Sequence, residues 1–315
     1  MSAAEIGGYF GLEQLPGKEY HQDLVKLNTA RNALCYLIRA RKIRKVYLPY
    51  FLCDCVWRVC KRSGCQWEFY HIGQDLLPQT LPTQEEGAWL YVVNYYGRLT
   101  DQQILQLKAA WGNVIVDHVQ DFYRRPLPGI DTLYSCRKFF GVPDGAYLST
   151  DAQLAQPLPV DISGGRMGHV LGRFEHCASD YYRDFQQSDE SFYDLDLAQM
   201  SPLTQNILRA VDYEAVRQKR NENYAFLHSR LGTPDSLASA TADGPYCYPL
   251  YRENAQAIKR YLASQKIYVP TLWPDLPEGA SPWEQALASN VLPLPCDQRY
   301  DLADMARILQ ALDEI

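Results

Sequence analysis

Asn113-Val114-Ile115-Val116-Asp117-His118-Val119-Gln120 and, a little further on, Thr132-Leu133-Tyr134-Ser135-Cys136-Arg137-Lys138 decide how the rest of the chain is read. Each begins as a short apolar run and ends in polar, chemically capable side chains. A strand with apolar residues in succession, rather than in alternation, is covered on both faces and belongs to a parallel sheet. Working outward, Val46–Pro49, Gln66–Ile72, Ala88–Tyr96 and Gly145–Ser149 read as further strands. Ala30–Arg41 has helical spacing, with Ala33, Leu34, Leu37 and Ile38 on one face, and Cys53–Arg62 and Asp101–Trp111 are further helices. Strands that alternate with helices give an α/β fold with a mainly parallel central sheet and helices on both faces.

The second half of the chain is patterned differently. Pro157, Pro159 and Gly164-Gly165-Arg166-Met167-Gly168 mark a loop-rich stretch. A long charged helix is predicted over Leu203–Leu231. It is followed by a strand at Tyr246–Tyr251, a helix at Asn254–Ser264, strands at Ile267–Val269 and Val291–Leu294, and a last helix at Asp301–Leu312. This is the pattern of a small C-terminal α+β domain. The expected division is a large α/β domain over 1–205, then the connecting helix and small domain over 206–315.

Composition narrows the function. The 315 residues are 47% hydrophobic and 22% charged, which is globular and not disordered. The formal net charge of -6 disfavours a protein that binds nucleic acid by neutralising phosphates. No apolar run approaches the roughly 18 residues that a membrane span needs. Residues 1–8 show neither a basic start nor an apolar core, and the nine cysteines are odd in number and scattered. A cytoplasmic protein with reduced thiols, binding neither nucleic acid nor membrane, is the expectation. The group Cys53, Cys55, Cys60 and Cys65 lacks the paired spacing of common zinc sites, so no metal is expected there.

In parallel sheets, ligands bind at the carboxyl ends of strands. Asp117 ends one run, Ser135 and Lys138 follow another, and Tyr95 follows the run Leu90–Val93. The helix that begins after Asn28-Thr29 presents free N–H groups at Ala30, Arg31 and Asn32, which suits an anion. One lysine, one strand-end aspartate and a helix N-terminus for a phosphate are what pyridoxal phosphate requires. The lysine forms the Schiff base and the aspartate keeps the pyridine nitrogen protonated. Taken singly, Lys138 reads as a solvated surface residue and Asp117 as a helix cap. Arg166 lies on the glycine-rich loop, where it would meet a nucleotide diphosphate or a partner subunit.

The stretches VDHVQDF (Val116–Phe122) and YSCRKFFGVPDGAYL (Tyr134–Leu148) resemble the DegT/StrS-type sugar aminotransferases, a family of fold-type I pyridoxal-phosphate enzymes. GGYFGLE (Gly7–Glu13), LNTARNAL (Leu27–Leu34) and the C-terminal half, from KRNENYAFLHSRL to VLPLPCDQRYDLADM, carry the resemblance over nearly the whole chain. The resemblance implies an aminotransferase that moves an amino group from a donor such as glutamate to a keto-sugar, one linked to a nucleotide, in a homodimer. It implies that Lys138 carries the cofactor, Asp117 pairs with the pyridine nitrogen, Gln120 lies against the ring near its hydroxyl, and Ser135 binds the phosphate. Ala30 and Arg31 occupy the family's phosphate turn, with Arg31 in place of a hydroxyl residue, and Cys53 stands where an aromatic ring usually covers the cofactor. Tyr95 and Arg166 are the candidates for substrate contact. Cys53 and the short chain leave open a second reading, a cofactor-binding protein of the same fold with a regulatory or assembly role. A third is an unrelated thiol or metal protein built on Cys53–Cys65.

Overall fold

Seven strands form one sheet in the computed structural model, which describes residues 6–233 and 236–315. They are β1 (Val25–Leu27), β2 (Lys45–Pro49), β3 (Gln66–Tyr70), β4 (Ala88–Val93), β5 (Val114–Asp117), β6 (Asp131–Ser135) and β7 (Ala146–Ser149). The spatial order is β1-β7-β6-β5-β4-β2-β3. Neighbours from β3 to β6 are parallel, and β7 alone runs against both of its neighbours. The apolar runs explain the arrangement. Val114, Ile115 and Val116 are at most 1% exposed, so both faces of β5 are covered and the strand has no wet side. Each such side chain contributes about 1.5–3 kcal/mol by leaving water.

Register then fixes the chemistry. Asp117 pairs with Val93 of β4 on one side and with Leu133 of β6 on the other. The last residue of β5 is therefore central in the sheet, at its carboxyl edge. Helix α1 (Ala30–Ala40) starts beside that edge, because Thr29 caps it by accepting a hydrogen bond from the Asn32 amide. Its predicted face, Ala33, Leu34, Leu37 and Ile38, is buried. Helices α2 (Asp54–Arg62) and α3 (Asp101–Trp111) follow β2 and β4, and Thr100 and Gln103 close a capping box on α3.

After β7 the chain forms α4 (Gly168–Glu175) and α5 (Tyr182–Ser191), two helices not expected from the loop-rich stretch that precedes them. The helix expected over Leu203–Leu231 is two helices, α6 (Pro202–Arg209) and α7 (Tyr213–Leu231). The break is a capping event: Asp212 accepts from the Ala215 amide and restarts the helix. The start of α6 is seated by Asp144, which accepts from the Ser201 amide at 2.9 Å, the Ser201 hydroxyl at 2.8 Å and the Thr204 hydroxyl.

The remaining elements are β8 (Tyr248–Tyr251), α8 (Ala255–Ser264), α9 (Pro282–Asn290), β9 (Val291–Leu294) and α10 (Leu302–Asp313). β8 and β9 pair antiparallel, and Tyr224 and Leu227 of α7 join Leu250, Ile258, Leu292 and Ile308 in a second core. The strand expected at Ile267–Val269 is not formed. Ile267 instead donates its amide to Leu262, closing the end of α8. Helix α9, which the sequence reading left unassigned, is nucleated by the Ser281–Glu284 capping box with Pro282 in its first turn. Glu284 is fully buried and also accepts from the Ile72 amide, which pins α9 to the large sheet. No helix among the described residues is long and apolar enough to cross a membrane.

Candidate active site

The carboxyl ends of β5 and β6, the start of α1 and the start of α2 surround a cavity of about 530 Å³. Ala30, Arg31, Cys53, Asp117, Ser135 and Lys138 all line it. These six come from four separate stretches of chain, and they meet because a parallel sheet puts all its strand ends on one edge.

Asp117 is the most constrained of them. Its Oδ2 accepts from the Tyr91 hydroxyl at 2.6 Å and its Oδ1 accepts from the Val119 amide at 2.8 Å. The bond to Val119 is a local turn after the strand, and no helix follows for Asp117 to cap. Burial pushes the Asp117 carboxyl above the usual carboxylate range, against the opposing pull of Tyr91, Val119 and Lys138. Each oxygen keeps capacity for a further donor. A buried carboxylate with spare acceptor capacity is matched by a cationic donor, and a protonated pyridine nitrogen is such a donor.

Lys138 sits in the turn after β6, held by the Phe139 and Phe140 amides, which both donate to the Cys136 carbonyl. It forms no ion pair among the described residues, and its ammonium lies 5.1 Å from the centre of the Tyr246 ring. Burial works against its charge, but Tyr246, Cys53, Asp117 and Cys55 outweigh burial and hold its pKa above the ordinary lysine value. Arg31 lies over the Tyr193 ring at 4.9 Å, and its Nε is buried without a partner. An orphaned guanidinium N–H beside a helix N-terminus and the strand-end Ser135 fits a phosphate. The donor set therefore suits pyridoxal phosphate at both ends: carboxylate and amine for the ring, arginine and helix amides for the phosphate.

The other sequence candidates lie elsewhere. Gln120 accepts from the Tyr96 amide through Oε1, its Nε2 is buried without a partner, and it does not line the cavity. Asn32 is spent on structure, donating to Asn28, Leu195 and Asp196 and accepting from Arg62. Tyr95 is buried, donates its hydroxyl to the Phe51 carbonyl and stacks on the Phe51 ring. Arg166 pairs with Asp161 and also lies outside the cavity wall. No group of three or more His, Cys, Asp or Glu among the described residues is arranged to hold a metal ion.

The sequence reading missed one side of the cavity. Cys55, Arg137 and Asp189 line it, and so do Tyr246, Trp273 and Arg299 from the C-terminal half. Trp273 has a left-handed backbone (φ 54°) and packs edge-on against Phe51 at 4.8 Å. Arg299 is held by Asp297, with Nε at 2.7 Å and Nη2 at 2.8 Å from its two oxygens. Only Asp297-Gln298-Arg299, immediately after a strand, left a readable signal of this wall.

Two buried histidines lie outside the cavity wall. Asn94 donates to Nδ1 of His118 at 3.1 Å, and burial pushes the His118 pKa down to about 3. His21 lies 2.8 Å from the Phe122 carbonyl through Nε2, and burial takes its pKa down to about 4. Both pKa values lie below 7, so the neutral imidazole is the favoured form at pH 7.

No family model matches this sequence, and neither does any curated protein. Solved structures do match its fold. S. venezuelae DesV, determined in complex with a ketimine intermediate, superposes with a TM-score of 0.65 at 17% identity, over 92% of this chain and 84% of that one. NtdA from Bacillus subtilis, with bound cofactor PMP, gives 0.68 at 16% identity, over 92% of this chain and 72% of that one. The sugar aminotransferase CalS13 from Micromonospora echinospora gives 0.63 at 15% identity, over 92% and 87%. The chain thus has the fold of these proteins, an α/β fold with a mainly parallel central sheet, as the alternation of strands and helices in its sequence implies.

Proposed function

We propose that this protein is a pyridoxal-phosphate-dependent aminotransferase that moves an amino group from an amino acid such as glutamate to a keto-sugar linked to a nucleotide. The observation that carries the reading is Lys138, an unpaired cation facing the buried Asp117 in one cavity at the carboxyl ends of β5 and β6. The fold shared with a CalS13 sugar aminotransferase supplies the substrate class, and the PMP-bound NtdA structure supports the cofactor.

Bound here, pyridoxal phosphate supplies an electron sink for the bond that breaks at the amino-bearing carbon. The chain's residues do the rest. Lys138 Nζ would hold the cofactor and, once freed, would take up and return the proton, the part a positioned amine plays in general acid–base catalysis. Asp117 keeps the pyridine nitrogen protonated, and the Tyr91 hydroxyl and Val119 amide fix the carboxylate in place. Arg31, Ser135 and the first amides of α1 bind the phosphate. Trp273 and Tyr246 line the cavity from the C-terminal half of the chain.

A homodimer belongs to the same reading. Leu171 and Phe174 of α4 are 57% and 91% exposed, an apolar surface suited to a second copy. Light scattering on the purified protein tests it, with a monomer at micromolar concentration as the outcome that rejects it.

The test of function is the visible spectrum of the protein incubated with pyridoxal phosphate, before and after glutamate, beside Lys138→Ala. A band present in the wild type, absent in the variant and bleached by glutamate is expected. A band that no amino donor bleaches favours the binding-only role. No band at all ends the cofactor assignment.

A further inference from the structure

Cys53 and Cys55 flank the first residue of α2, and both line the cavity. Cys53 is the N-cap of that helix, yet its side chain makes no capping hydrogen bond. Its sulfur is therefore not committed to the backbone. Two residues apart, their Cα atoms are separated by at most about 7 Å, and a helical first turn shortens this into the range a disulfide spans. Both thiols are half-buried, so small molecules that enter the cavity reach them.

Charge distinguishes the two sulfurs. Cys55 lies in the first turn of α2, where the helix dipole favours a thiolate. The neighbouring Cys53 thiol holds the Cys55 pKa below the ordinary thiol value, and Arg31 and Lys138 add to this against the effect of burial. The proximity of Cys55, together with burial, pushes the Cys53 thiol up. The cations Arg31 and Lys138 and the start of α2 thus favour the thiolate on the Cys55 side of the pair.

The other cysteines provide the contrast. Cys60 and Cys65 are 0% and 3% exposed and lie outside the cavity. Cys247 touches the cavity, but burial raises its pKa well above the usual thiol value. Cys177 is exposed.

We propose that Cys53 and Cys55 are a redox-active dithiol in the cavity wall, a modification site that closes to a disulfide when a hydroperoxide enters. In the first step the Cys55 thiolate attacks one peroxide oxygen; the O–O bond breaks, Cys55 becomes a sulfenic acid, and the departing hydroxide is protonated to water. In the second step Cys53, losing its proton, attacks the Cys55 sulfur; the S–O bond breaks and the hydroxide leaves with that proton as a second water. Two thiols are oxidised and one peroxide is reduced to two waters. Closure takes the thiolate away from Arg31 and stiffens the first turn of α2, so the cavity that holds an anion differs between the two states. The inference rests on the cavity and the two sulfurs, and it does not require the proposed transamination.

The test is thiol mapping of the reduced, purified protein after stoichiometric hydrogen peroxide. The wild type is expected to lose two thiols, to lose about 2 Da, and to yield a peptide with Cys53 linked to Cys55, all reversed by dithiothreitol. Cys53→Ser is expected to stop at a sulfenic acid on Cys55 that dimedone traps, and Cys55→Ser to leave Cys53 as a thiol. Linkage of Cys60 to Cys65, of Cys53 to Cys247, or between molecules through Cys177 as the main product overturns the proposal. So does retention of free Cys53 and Cys55 while Cys177 oxidises. The wild-type map alone decides the matter if either variant fails to fold. Because it counts thiols, it is independent of whether the cofactor binds.

Discussion

The cavity floor and the joint beneath α6 are each organised around one buried aspartate, and they use it in opposite ways. Asp144 takes three donors: the Ser201 amide and the Ser201 and Thr204 hydroxyls all donate to it, and it ties the turn before β7 to the start of α6. Asp117 receives two donors, one on each oxygen, and faces an open volume beside an unpaired lysine. Burial raises the pKa of both. Burial and a shifted pKa therefore do not separate structure from function here. The number of donors and the open volume each carboxylate faces do, because a buried polar group left short of partners is stable only where something else supplies them.

The sharpest way to break this comparison is at Lys138. Lys138→Ala is expected to lower the glutamate half-reaction by about 10⁴-fold, with a urea midpoint unchanged from wild type. Activity within tenfold of wild type would mean that the unpaired cation is a bystander. Asp117→Asn comes next, with a fall of about 10²–10³-fold in the same half-reaction. Its denaturation curve should be no worse than that of wild type, since an uncharged amide is easier to bury. A variant that keeps its rate but loses stability would make Asp117 structural, like Asp144.

The pH dependence of stability separates the acids from the buried histidines. For Asp117 and Asp144 the folded pKa is raised, so their contribution is complete below about 3.8 and is lost as pH rises through the folded value. His21 has a lowered folded pKa, so its contribution is complete above about 6.5 and is lost as pH falls toward about 4. That loss is about 3 kcal/mol at most. His21→Gln keeps a donor for the Phe122 carbonyl but does not titrate. The stability of wild type relative to this variant should fall steadily from pH 6.5 to 4 in urea titrations. A constant difference would place the acid sensitivity elsewhere.

The smallest effect is expected at the joint. Asp144→Ala strands the Ser201 amide and two hydroxyls and should cost about 2 kcal/mol. Below its melting temperature it should still bind pyridoxal phosphate with the wild-type spectrum. Loss of the band in a folded protein would show that α6 and the cavity are coupled, and would weaken the contrast drawn here.

Much of this was legible in the chain. The run Val114–Val116 told of a strand covered on both faces, and Thr29 told of a capped helix beside it. Asp117 and Lys138 could be placed at strand ends because a parallel sheet has only one edge for its ligands. Signals also went unread: Asp212 splits the long helix and the Ser281–Glu284 box starts α9, each by a capping bond that a pattern of apolar spacing does not record. The expected strand at Ile267–Val269 had β-branched residues at both ends but no partner to pair with, and strand formation needs one.

The sequence by itself determined the alternation of strands and helices, the faces they bury and the two residues on which the cofactor reading rests. Those depend on periodicity and on neighbours a few positions away. Tertiary structure alone decided that Arg31 meets Cys55, that Trp273 and Arg299 come from the far end of the chain to line the cavity, and that Gln120, Tyr95 and Arg166 stand outside its wall. Which distant side chains converge is set by the packing of whole elements, and no local pattern of residues carries that information.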